Sequence, residues 1–87
     1  MQASDFKQLF LPCHRKLFSV AYRLMGNVQA AEDLVQETFL KLWIQRDKMG
    51  TVDHPEAYSI TVLRRLFYDK MRTGRLQEVD KDVGTLQ

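Results

Sequence analysis

Cysteine is almost absent from this chain: Cys13 is the only one among 87 residues. No disulfide can close within the chain, and no zinc site can be built from cysteines. Cys13 itself reads as a small, buried or half-buried apolar residue, and a reducing cytoplasm fits. Two prolines and four glycines are few, which disfavours a turn-rich all-β fold. No apolar run approaches the ~18 residues that a membrane span needs, so no membrane insertion is expected. The opening MQASDFKQLF lacks a basic leader followed by an apolar stretch, so it does not read as a signal peptide. The two histidines, His14 and His54, lie far apart; neither sits in a nucleophile motif, and no phosphate-binding glycine loop is present. Neither an enzyme, a metal site nor a cofactor is expected.

What remains is an ordinary globular balance, 45% hydrophobic and 28% charged residues, in a chain short enough for one domain. The net charge of +2 says less than its distribution. Residues 1–27 carry four basic and one acidic side chain; residues 28–56 carry three basic and six acidic. Residues 57–75 then carry five basic and one acidic, and residues 76–87 one basic and three acidic. Such alternation suggests two partners, one met by an acidic segment and one by a basic segment; the competing reading is two solvated helix faces.

Hydrophobic periodicity gives three main helices. The first is expected from about Ser4 to Met25, with Ser4 or Asp5 as N-cap and Leu9, Cys13, Leu17, Val20, Ala21 and Leu24 at helical spacing. Pro12 removes a backbone donor and should break it. Gly26-Asn27 ends the segment, since both residues tolerate a left-handed C-cap. The second helix is expected over Val28 to Arg46, with an apolar stripe through Ala31, Leu34, Val35, Thr38, Leu42 and Trp43. Residues 47–54 form a loop. Asp53 or His54 caps the third helix, Pro55 takes its first position, and Gly74 should stop it near Thr73. An all-α bundle over residues 1–75 follows, with residues 76–87 as a linker or disordered tail.

On a wheel at ~100° per residue, Asp33, Gln36, Glu37 and Leu40 share one side of the second helix, largely apart from its apolar stripe. A carboxylate row with one leucine in it suits a basic partner helix, the charges steering and the leucine anchoring. A solvated face, with Lys41 pairing to Glu37, fits the spacing equally well. A shared cation at Asp33 and Glu37 is a weak reading, because no histidine lies at ligand spacing.

The third helix separates two arcs. Ala57, Ile60, Leu63, Phe67, Tyr68 and Met71 form the expected core side. Tyr58, Thr61, Val62, Arg65, Asp69 and Arg72 form the other, with Arg64, Lys70 and Arg75 at its borders. Guanidiniums reach phosphates and base edges, and an aromatic or apolar neighbour supports an unstacked base. Melted or single-stranded DNA suits this surface better than intact duplex.

The blocks LFSVAYRLMGN, AAEDLVQETFLKLW and HPEAYSITVLRRLFYDKMR, in this order and spacing over about residues 5–73, resemble region 2 of the sigma-70 family. The match is nearest to its small extracytoplasmic-function (group 4) branch of bacterial promoter-specificity factors. The resemblance implies that Asp33, Gln36 and Glu37, with Leu40 nearby, dock on the clamp helices of the largest subunit of core RNA polymerase. It implies that the third helix and the loop before it read the non-template strand of the promoter −10 element as the DNA opens. By position, Gln45, Met49, Val62 and Arg65 would surround a flipped-out base, with Tyr58 where the family usually has tryptophan. Arg64, Lys70 and Arg72 would face the DNA backbone. Where the family commonly has Arg-Asn, this chain has Arg64-Arg65; asparagine donates and accepts, whereas arginine only donates. A complete factor of this type carries a further helix-turn-helix domain for the −35 element, and this chain stops in what would be the linker. An anti-sigma factor is a further partner the family allows. The alternative is a helix-turn-helix regulator of duplex DNA that binds no polymerase; the 47–54 loop is long for its turn. A purely protein-binding module is a third reading, in which Arg64, Arg65 and Arg72 would be dispensable.

Overall fold

The computed structural model describes residues 2–83, with side chains described as far as Arg72. Among the described residues there are four α-helices: α1 (Ala3–Phe10), α2 (His14–Met25), α3 (Val28–Ile44) and α4 (Pro55–Val83). No strand occurs among the described residues, so the architecture is the all-α bundle that the periodicity predicts, with its first helix broken in two. The break falls where Pro12 demands it: Leu11–Cys13 is a single 3₁₀ turn with the proline at its start, where a missing N–H goes unnoticed. Gln2, not Ser4 or Asp5, occupies the N-cap of α1, and it makes no side-chain cap. Asp5 instead lies inside the first turn, where the helix dipole still favours it.

Two caps placed back to back make the corner between α2 and α3. Gly26 closes α2 at φ 71°, the left-handed conformation, and its N–H donates to the Tyr22 carbonyl at 2.7 Å. Asn27 opens α3, its side-chain oxygen accepting from the Ala30 N–H at 2.9 Å. With no spare residues between them, the two helices fold back as a hairpin.

The expected stripe of α3 forms the centre of the core. Ala31, Leu34, Val35, Thr38 and Leu42 are all buried, while Trp43 is half-buried. One apolar cluster joins this stripe to Cys13, Leu17, Val20, Ala21 and Leu63. A second gathers Phe6, Phe10, Leu42 and Val62, and the half-buried Phe39 and Leu66 pack against both. The rings of Phe6 and Trp43 meet edge-on at 5.1 Å, fixing α1 against the end of α3. Leu17, Leu34, Leu42 and Leu63 are fully enclosed; cutting any one to alanine costs about 2–5 kcal/mol, a large share of a small domain's stability.

Helix α4 departs from expectation in two ways. Its buried face is Ser59, Val62 and Leu63, flanked by the half-buried Ile60, Leu66 and Phe67, a face rotated by roughly a quarter turn from the predicted arc. Ala57, Tyr68 and Met71, expected in the core, are exposed. Val62 and Leu63 are drawn into the two apolar clusters, and Ser59, although polar, is fully buried beside them, its hydroxyl donating to the Pro55 carbonyl at 2.6 Å. A hydroxyl satisfied one turn back can sit in a core like an alanine. Second, Gly74 does not stop the helix, which continues to Val83; one glycine opposes a helix by only about 1 kcal/mol. The linker or tail expected over 76–87 falls on this extension as far as Val83, and residues 84–87 lie outside the described residues.

Helices α3 and α4 run antiparallel. Leu42 packs with Val62, while Glu37, earlier on α3, meets Lys70, later on α4.

Candidate functional site

The four residues predicted on the acidic side of α3 come together. Asp33, Gln36, Glu37 and Leu40 are all exposed and line a single surface depression with Lys70. Leu40 is 58% exposed, so nothing in the bundle covers it. Glu37 does not pair with Lys41; its partner is Lys70, at 3.1 Å. Lys70, expected to face the DNA backbone, thus sits at the rim of the acidic depression. Lys70 lies one and two turns beyond Leu66 and Leu63, on the side of α4 that faces α3, and reaches Glu37 where the apolar contact ends. Both side chains are partly solvated, so the pair contributes at most about 1 kcal/mol.

Leu40 also borders an apolar groove that the sequence did not announce, lined by Ala3, Phe6, Lys7, Leu11, Phe39 and Trp43. Its floor is the seam between α1 and α3, visible only once Pro12 has turned the first helix back.

The opposite, outward side of α4 carries the predicted cations. Tyr58, Thr61, Arg64, Arg65 and Arg72 are exposed. Arg72 is braced by Asp69 at 3.1 Å; among the described residues Arg64 and Arg65 have no ion-pair partner. Where this face meets the preceding loop there is a pocket of about 310 Å³, lined by Met49, Thr51, Val52, Asp53, His54, Ala57, Tyr58 and Thr61. Of the residues expected around a base, only Met49 lines it. Val62 is 9% exposed and belongs to the core with Phe6 and Phe10, so it supports the pocket wall from behind. Gln45 is half-buried at the end of α3, where its N–H donates to the Lys41 carbonyl at 3.0 Å. Arg65 stands one turn beyond Thr61, beside the pocket. Thr51, Asp53 and His54 were missed as pocket residues. Their signal was Pro55, which starts α4 and pins the loop against its first turns.

The loop is braced at its origin. The Arg46 guanidinium stacks on the Trp43 ring at 3.7 Å and donates to the Trp43 carbonyl at 2.9 Å. It thereby ties the 3₁₀ turn Arg46–Lys48 to the end of α3. At its other end, the His54 carbonyl accepts from the Tyr58 N–H at 3.0 Å, which makes His54 the N-cap of α4.

A fourth depression joins Leu9, Pro12 and Cys13 to Pro55, Glu56 and Ile60. Burial pushes the Cys13 thiol above its ordinary value, the Glu56 charge adds to this, and a hydrogen bond with Ser59 opposes it. Ionisation of the thiol is thereby disfavoured, which lowers its reactivity. Among the described residues no group of three or more His, Cys, Asp or Glu side chains is placed to hold a metal ion. No helix among them is long and apolar enough to cross a membrane.

The described residues thus form an all-α bundle with an acidic depression on α3 and, on the outward side of α4, a pocket with exposed arginines further along the helix. Comparison with known proteins specifies it further. The family model described as Sigma-70 region 2 matches residues 9–76. The extracytoplasmic-function (ECF) RNA polymerase sigma factor SigJ of Mycobacterium tuberculosis strain H37Rv is 43% identical over 75 residues, 85% of this chain and 22% of SigJ. SigL of the Erdman strain is 38% identical over 64 residues, covering 72% of this chain and 36% of SigL. EcfG of Rhodopseudomonas palustris strain TIE-1 is 36% identical over 66 residues, 76% of this chain and 36% of EcfG. The chain thus spans between about a fifth and a third of these relatives' length. No solved structure gave a significant match. The chain belongs to the sigma-70 family and constitutes its region 2, of the extracytoplasmic-function type.

Proposed function

We propose that this domain binds core RNA polymerase through the acidic depression of α3 and reads the −10 element of promoter DNA through α4 and the 49–54 loop, acting by binding and not by catalysis. The observation that carries the reading is the convergence of Asp33, Gln36, Glu37 and Leu40 in one exposed depression. These positions match the family's polymerase contacts, and nothing in the fold requires a leucine there to face water. The clamp helices of the largest subunit supply the basic, helical partner that such a face suits. On the other side of α4, Arg64, Arg65 and Arg72 meet the sugar–phosphate backbone, while the pocket beside Tyr58 receives an unstacked base. With its polymerase the domain works in the bacterial cytoplasm, at the nucleoid. Replacing Asp33 and Glu37 together by alanine should weaken capture of the clamp-helix fragment at least about tenfold, as loss of two interfacial charges does; unchanged capture would sink the docking assignment.

The duplex-reading alternative fares worse. A helix-turn-helix sets its two helices at about 90–120° across a short turn, whereas α3 and α4 run antiparallel and are joined by a folded loop with its own 3₁₀ turn.

A further inference from the structure

Asp53 is out of place for a surface that binds a polyanion. It is exposed and lines the pocket on the outward side of α4 together with His54, Tyr58 and Thr61, while the arginines begin only a turn further along. A carboxylate there repels phosphate. Nor is it needed to build the fold. Among the described residues it has no ion-pair or hydrogen-bond partner, and the N-cap of α4 is His54, whose carbonyl accepts the first helical bond. An unpartnered acceptor in a pocket of about 310 Å³ is left with one kind of partner on a nucleic acid: a donor on a base edge.

We propose that Asp53 is a base-selecting residue, and that the pocket takes an unstacked base bearing an exocyclic amine in preference to thymine. The inference rests on the −10 reading above. An ionised carboxylate only accepts hydrogen bonds. Cytosine, adenine and guanine each present an amine, at N4, N6 and N2. Thymine has no exocyclic amine; its one edge donor, N3–H, lies between two carbonyl oxygens, so a carboxylate that reaches it meets an acceptor on either side. Of the side chains that line the pocket, Asp53 is the one strong acceptor that cannot donate; Thr51 and His54 can donate, so neither excludes thymine. Tyr58 and Met49 offer flat or apolar contact that every base can use, and the Thr61 hydroxyl proton is already committed to the Ala57 carbonyl at 3.0 Å.

The test uses the whole 87-residue chain, alone and reconstituted with core polymerase. The probes are single-stranded −10-like non-template oligonucleotides in which each position in turn is A, C, G, T or abasic. In the parent chain, one position should bind amine-bearing bases about five- to tenfold better than thymine, the low end for a base contact because the pocket is open to water. Asp53→Asn keeps the shape but adds a donor, so it should gain thymine binding and flatten the ranking. Asp53→Ala should flatten it without the gain. Both variants lose a charge near the α4 N-terminus, which favours the helix, and both raise affinity for all DNA; the base ranking, not the affinity, is therefore the readout. Capture of the clamp-helix fragment, by a different face, reports that the variants are folded. If no position distinguishes a base from an abasic site, the −10 reading itself fails and this inference with it. If one position does, but ranks bases identically in the parent and Asp53→Asn, the −10 reading stands and the role of Asp53 is overturned.

Discussion

Val62 and Arg65 stand three residues apart on α4 and have opposite roles. Val62 is held among Phe6, Phe10 and Leu42, while Arg65 is exposed beside the pocket. Val62→Ala should therefore lower stability by about 1–3 kcal/mol, a core truncation, with DNA affinity unchanged once folding is complete. Arg65→Ala should leave the thermal midpoint within about 0.5 kcal/mol equivalent, weaken single-stranded DNA binding and reduce its salt slope by about one. Paired denaturation and salt-titrated binding curves separate the two; a Val62→Ala chain that melts normally but loses DNA would return Val62 to the recognition surface. The sequence put both residues on one outer arc because a wheel scores polarity and not satisfaction. Ser59 looks like surface until its hydroxyl is seen bonded within its own turn, which lets it lie on the buried face with Val62 and Leu63. Asp33, Gln36, Glu37 and Leu40 were legible for the converse reason: their exposure follows from the unambiguous apolar stripe beside them.

Among the elements, the joints were the easiest to foresee and the faces the hardest. Pro12, Gly26 and Pro55 act through their own backbone and Asn27 through a side-chain cap on its own first turn, so the break, the corner and the start of α4 could be read one residue at a time. The pocket could not, because it exists only when the loop lies against the first turns of a helix distant from α3's origin. The α2–α3 corner offers a clean measurement. Asn27→Ala removes the cap on the Ala30 N–H and should cost about 0.5–2 kcal/mol, while Asn27→Ser should recover most of it. Urea midpoints for the three chains test this, and an alanine variant as stable as the parent would show that the hairpin is held by its apolar seam alone. The continuation of α4 past Gly74 makes the same point from the other side: a weak local preference loses to a helix already under way.

Over the whole molecule, the two surfaces use opposite charge and lie on different sides of the α3–α4 pair. The chain should bind single-stranded −10-like DNA better than the same sequence as duplex at matched salt. The Asp33→Ala, Glu37→Ala double variant should leave that preference intact, with affinity changed by no more than about twofold at 0.15 M salt, where charges are screened over ~8 Å. Equal binding to single strand and duplex would argue against base capture, and a large change in DNA affinity would show that the surfaces are not separate. How the pair holds together has a mechanical consequence. Thr38 and Ser59, both fully buried, donate their hydroxyl protons to carbonyls of their own helices. The interior contact between α3 and α4 is therefore largely oily, and the one ion pair that crosses it among the described residues lies at the wet rim. Such a seam resists being pulled apart far more than it resists slipping lengthwise. A small glide of α4 along α3 would therefore carry the pocket with it at almost no cost in hydrogen bonds.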